Sequence, residues 1–134
     1  MSKVLISIKP EYVNKILNGT KKYEYRRTLA KKDVSSLVIY STCPVKEIVG
    51  EVDVIGTIEM APSSLWEKTK KEAGISRKKY REYFKKRKKA CAYVLGMVTK
   101  YENNKKLLDI GVQQAPQSFL YLTQEQYELL RKGR

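Results

Sequence analysis

The run from Ile48 to Met60 is long for a strand and is punctuated by Gly50 and Gly56. Glycine relieves the steric cost of strong bending, so these two positions predict bends or bulges in an extended segment. A strand that must curve around a small barrel needs such places. The neighbouring runs are short enough to pair with it. Lys3–Ile8, Leu37–Tyr40 and Phe119–Leu122 each carry a few apolar, strand-favouring residues, too few for a helix. In Ala90–Tyr101, Tyr93, Leu95 and Met97 alternate with Val94 and Val98, and a polar turn is expected at Asn103 and Asn104.

Helices are marked by their ends. Pro10 suits a first helical position, Tyr12, Val13, Ile16 and Leu17 form one buried stripe, and Gly19 closes the segment. Pro62, Ser63 and Ser64 start a second helix, with Leu65, Trp66, Thr69 and Ala73 on its inner side and Gly74 as its stop. Ser76 caps a third, in which Tyr80, Tyr83 and Phe84 share a face and nine cations from Arg77 to Lys89 crowd the rest against Glu82. Leu107–Gly111 reads as a short connection, and Thr123 starts a terminal amphipathic helix carrying Tyr127, Leu129 and Leu130. Several short curved strands with three or four helices predict an α+β fold, a small mixed barrel with flanking helices. Its 134 residues, 42% of them hydrophobic, suffice for one core, so 1–134 is read as a single domain with 61–89 as a basic helical insertion.

Charge narrows the partners. The formal net charge is +14, and residues 61–100 hold thirteen Lys and Arg against three Glu. A surface this basic favours a polyanion such as RNA, DNA or an anionic membrane, and charge alone does not choose among them. No run approaches the ~20 apolar residues of a membrane span, and the start MSKVLISI is no signal peptide. A soluble cytoplasmic protein is expected. Histidine is absent, and Cys43 and Cys91 lack metal-ligand spacing, so His-based triads are excluded and no metal or cofactor is expected.

The stretch GTKKYEYRR, Gly19 to Arg27, concentrates chemistry. If it is extended, the two-residue period puts Lys22, Glu24 and Arg26 on one face and Lys21, Tyr23, Tyr25 and Arg27 on the other. Two readings stand side by side: a solvated edge strand in which Glu24 and Arg26 form an ordering ion pair, and a binding surface. Pro44 places Ser41–Lys46 in a loop at a strand end, where binding residues are often displayed.

Gly19, Lys21, Glu24 and Arg26 match GxKxxExR, and with SIKPEYVNKIL before them, IYSTCPVKEIVGE after them and APQSFLYL near the end, the chain resembles the ASCH domain family of the PUA-like superfamily. The resemblance covers nearly the whole chain. It implies a barrel of five or six strands with a cleft beside the first helix, and binding of RNA or a modified nucleobase. Carried over, Lys21, Glu24 and Arg26 lie at that cleft, with Lys22 and Tyr25 from the same stretch, Ser7 and Lys9 from the end of the first strand, Ser41 from the strand-end loop, and Gln117 and Ser118 from the last segment. Lysine and arginine neutralise phosphate, Glu24 accepts from an exocyclic amine, and tyrosine rings stack on unpaired bases. Lys85, Lys86, Lys88 and Lys89 of the basic helix are expected on phosphates. The alternative is a metal-independent hydrolase. Some small family members hydrolyse N4-acetylcytidine with a lysine and a threonine, but Glu24 stands in the threonine's place, leaving Lys21 and Glu24 as the catalytic candidates, with Tyr25 added for a ribonuclease. A regulatory protein gripping DNA or an acidic partner is the third reading.

Overall fold

A computed structural model describes residues 2–132; positions 1, 133 and 134 of the expected domain lie outside the described residues. The strands are β1 (Ser2–Ile8), β2 (Tyr23–Arg26), β3 (Val34–Ser41), β4 (Glu47–Met60), β5 (Ala90–Lys105) and β6 (Phe119–Tyr121), and the helices α1 (Pro10–Leu17), α2 (Pro62–Thr69), α3 (Arg77–Tyr83) and α4 (Gln124–Arg131). One mixed sheet takes the order β2-β5-β4-β3-β1-β6. Within it β1 and β3 run parallel, and the other neighbours are antiparallel. The sheet curls into a half-barrel with β2 and β6 at its edges, the α+β architecture that the glycine-punctuated strand foreshadows.

The bends sit where the glycines are. The β4–β5 register shifts between Ile48 and Gly50, between Val52 and Val54, and between Val54 and Gly56. At Gly50 the approach is so close that a Cβ would lie 2.6 Å from the Thr99 carbonyl oxygen and 3.3 Å from Lys100 Cα. Both are backbone atoms, so no side chain can move aside.

The sheet is covered on both faces, which is why β1 and β3 read as continuous apolar runs. Val4, Ile6, Ile8, Leu37 and Ile39 pack with Val13 and Ile16 of α1. Leu5, Val38 and Tyr40 face the other way, against Tyr127 and Leu130 of α4. Full burial of each such side chain contributes about 1.5–3 kcal/mol. A third cluster joins Tyr25 of β2 and Ala92 of β5 to Leu65, Ala73, Tyr80 and Phe84 of the 61–89 insertion. That insertion leaves the sheet at Met60 and returns at Ala90, and these two residues are register partners. Among the described residues no helix is long and apolar enough to cross a membrane.

Three local expectations are corrected. Asn103 and Asn104 lie within β5 rather than in a turn, because β4 extends to Glu47 and pairs with it as far as Lys105; Asn104 Nδ2 donates to Glu47 Oε1 at 3.1 Å. Cross-strand pairing outweighs the local turn preference of asparagine. The basic helix ends at Tyr83, so Lys85, Lys86, Lys88 and Lys89 belong to the turn entering β5, with Lys86 at φ +63°. Continuing the helix would have stacked like charges at three and four residue steps. In the basic stretch only Tyr23–Arg26 is strand; Lys21 and Lys22 precede it.

Candidate functional site

The unpaired edge of β2 faces α1 and the end of β1, and a cavity of about 520 Å³ opens between them. β1 and the turn into α1 contribute Ser7, Lys9 and Tyr12; the basic stretch contributes Lys21, Glu24, Tyr25 and Arg26; the insertion closes the third side with Ile75, Lys79 and Tyr83. Because β2 is an edge, side chains from both its faces reach the cavity. Glu24 and Arg26 come from one face and the Tyr25 ring from the other, while Lys21, not being in the strand, is free of the alternation.

Arg26 ties the seam. Its Nη2 donates to the Ser7 carbonyl oxygen at 2.9 Å and to Glu24 Oε2 at 2.9 Å, and its Nε donates to the same carboxylate oxygen at 3.1 Å. The Glu24–Arg26 ion pair expected of an ordering strand is therefore present, and it forms the wall of the cleft. Among the described residues Nη1 of Arg26 makes no hydrogen bond, which leaves two N–H donors for an anion.

Lys21 is no surface cation. It is 3% exposed, its Nζ donates to the Ala73 carbonyl oxygen at 2.7 Å, and that nitrogen lies 5.4 Å from the Tyr12 ring centroid and 4.9 Å from that of Tyr25. Burial lowers its ammonium from the ordinary 10.5 to about 8, against the opposing pull of the Glu24 carboxylate. The insertion builds this environment. Gly74, at φ +65°, packs on the lysine stem so closely that a Cβ would sit 2.5 Å from Lys21 Cγ. The backbone N–H of Lys22 donates to the Glu72 carbonyl at 2.9 Å, and Lys15 Nζ to that of Gly74 at 3.4 Å.

The two tyrosines differ in what they offer. Tyr25 OH and Thr69 Oγ1 are 2.6 Å apart, and the Thr69 proton goes to the Leu65 carbonyl at 2.7 Å, so Tyr25 is the donor to Thr69. Its hydroxyl is turned into the insertion and burial raises its pKa. Tyr25 thus gives the cleft its ring. Burial, and next the Glu11 carboxylate, raise the Tyr12 phenol as well, so it stays protonated through the neutral range.

The structure brings Ser7, Lys9, Lys21, Glu24, Tyr25 and Arg26 together. It does not bring the others. Ser41 is buried at the end of β3 opposite Ile8, Lys22 is held by its backbone outside the cavity lining, and Gln117 and Ser118 are exposed in the segment before β6. That segment is linked to the cleft through Ser7, whose hydroxyl donates to the Pro116 carbonyl at 2.7 Å. Lys85, Lys86 and Lys88 are exposed, and Lys89 pairs with Glu59 at 3.7 Å. Sequence reasoning missed Tyr12, Lys79 and Tyr83. Tyr12 read as stripe and Tyr83 as packing; the available signal was the polar tip each carries at the margin of an apolar face.

Comparison with known proteins bears on the family and the fold. The ASCH domain profile matches residues 6–102. An ASCH domain-containing ribonuclease of Zymomonas mobilis subsp. mobilis is 32% identical over 130 residues, 94% of this chain and 88% of the relative. The crystal structure of ASCH from Zymomonas mobilis superposes with a TM-score of 0.90 at 29% identity, covering 96% of this chain and 93% of that one. The ATP synthase subunit alpha of Ureaplasma parvum serovar 3 is 30% identical over 120 residues, 89% of this chain, and the chain spans only 15% of that relative's length. On the profile match, on the identity shared with a relative aligned over nearly its whole length, and on the half-barrel with its cleft beside α1, this chain belongs to the ASCH domain family.

Proposed function

We propose that this protein binds single-stranded RNA, takes one unpaired nucleotide into the cleft, and cleaves the RNA backbone there. The observation that carries the reading is Lys21, a buried amine with a pKa of about 8 in a cavity of about 520 Å³. At pH 7.4 about one such amine in five is neutral, which makes it a proton acceptor near its working pH. The ribonuclease relative, similar over nearly its whole length, supports the choice of substrate.

The chemistry follows from the groups at hand. Neutral Lys21 accepts the proton of a 2′-hydroxyl as that oxygen bonds to the adjacent phosphorus. The bond from phosphorus to the 5′-oxygen breaks, and the Tyr12 phenol gives that oxygen its proton. A 2′,3′-cyclic phosphate and a 5′-hydroxyl end result, and solvent returns both side chains to their starting states. Arg26 offers Nη1 to the developing phosphorane charge, with Glu24 positioning the guanidinium. Lys79 at the rim is paired with Glu11 at 3.3 Å and adds little net charge, so the turn carrying Lys85, Lys86 and Lys88 holds neighbouring phosphates.

The test is turnover of end-labelled single-stranded RNA. Lys21→Gln is expected to lose ~10²-fold or more in rate with binding retained, Glu24→Gln about tenfold, and wild-type rate should rise with pH towards 8. An RNA carrying a 2′-deoxy nucleotide at the cleavage position should resist. Saturable binding by purified protein with no product across pH 6–9 overturns the cleavage step and leaves a binding module.

A further inference from the structure

A second cavity, of about 400 Å³, lies on the other side of α3. α3 turns Lys79, Glu82 and Tyr83 to the cleft and Arg77, Tyr80 and Arg81 to this cavity, so a single helix, about 10–12 Å across, is the wall between the two. The floor is aromatic and fixed. Trp66 of α2 is half-buried with its ring 4.8 Å from that of Tyr80, and the Tyr80 hydroxyl donates to the Pro62 carbonyl at 2.7 Å. The rim is cationic. Arg77, Arg81 and Arg87 surround it, and its acid Glu67 is already engaged by Lys70 at 2.8 Å. Among the described residues neither Arg77 nor Arg81 is in an ion pair.

We propose that this cavity is a second nucleotide subsite, which stacks on Trp66 a base of the same RNA strand whose neighbouring segment occupies the cleft, while Arg77 and Arg81 hold its phosphates. The inference rests on the RNA reading of the cleft. A half-buried indole in a concave site needs a flat partner with an open face, and an unpaired base has one. A duplex keeps its bases stacked and would touch only the rim. An acidic peptide would satisfy the arginines but leave the indole without a matching plane. The two cavities being one helix apart lets a few nucleotides of extended strand bridge them over α3.

Trp66 is the chain's single tryptophan, so its fluorescence reports on this cavity and no other. The experiment titrates the full chain with oligouridylates, from the dinucleotide to strands several nucleotides longer, and follows Trp66 emission beside the anisotropy of an end-labelled strand. Longer strands are expected to quench Trp66 saturably. The double variant Arg77→Gln/Arg81→Gln should bind them about tenfold more weakly, with the slope of log affinity against log salt reduced by about 1.4 for two phosphates, and should bind the dinucleotide as wild type does. Trp66→Phe should keep most affinity for the longer strands, whereas Trp66→Ala should lose it. Anisotropy that saturates while Trp66 emission stays constant overturns the subsite, as does wild-type affinity and salt slope in the arginine variant, or equal quenching by duplex RNA. If no strand of any length binds, the cleft reading falls as well. If the dinucleotide binds saturably and longer strands gain no affinity over it, the cleft stands and the subsite falls.

Discussion

Lys21 carries a stability signature that can be read without any substrate. Its ammonium titrates near 8 in the folded protein and near 10.5 when the chain is unfolded and the side chain is in water. Between those values the unfolded state holds more protons, so this residue makes stability rise with pH from 8 to 10.5, and below 8 burial of the charge costs its full amount, roughly 3 kcal/mol. Lys21→Met removes the titration. Denaturant unfolding is expected to show the wild type gaining on the variant as pH climbs through that window, with a constant difference below it. A constant difference at all pH values would mean that the amine is not desolvated. The slope is the clean readout, because the variant also leaves the Ala73 carbonyl without its donor. A sequence carries no sign of this burial. GxKxxExR places a lysine near a carboxylate, and only the packing of Gly74 against its stem takes it out of water.

Elements were legible where local chemistry and packing agree. Pro10 and the stripe after it marked α1, Thr123 marked α4, and the two glycines of β4 marked its bends. They were illegible where distant partners decide: β5 runs on through Asn103 and Asn104 because β4 is there to pair, and α3 stops early because its later cations have no face to share. The cleft divides the same way. Its floor on the basic stretch was implied by the family resemblance, while spacing alone set Lys21 and Tyr25 on the face opposite Glu24 and Arg26; its third wall comes from a segment about fifty residues away, tied by the 2.7 Å bond from Lys21 to Ala73. Gly74→Ala tests that wall. A methyl there meets the Lys21 stem and an unfavourable positive φ, so a loss of about 1–3 kcal/mol in stability is expected, with turnover falling further than stability explains. Gly50→Ala is the control: its methyl meets the Thr99 and Lys100 backbone, and Gly50 is not among the residues lining the cleft, so it should destabilise while the folded fraction keeps its rate.

For the molecule as a whole, the distribution of charge has a measurable effect. Replacing Lys85, Lys86, Lys88 and Lys89 by Gln should weaken RNA binding for all sequences alike and flatten its salt dependence, by about 0.7 in slope for each phosphate that is no longer neutralised. Lys89 is expected to contribute least, since Glu59 already engages it, and unchanged slope would make the turn a solvated surface. The insertion bearing these lysines also supplies one wall of the cleft and the whole lining of the second cavity, yet Met60 and Ala90, between which it is strung, sit side by side as ladder partners. To the half-barrel it is a long hairpin loop that departs and returns through a single doorway. Closing a flexible loop twice as long costs only about 0.6 kcal/mol more. Length at this doorway is therefore cheap, whereas contact is not: a different segment strung between Met60 and Ala90 would change what the cleft selects only if it also covered Tyr25 and Ala92 and met Lys21 as this one does.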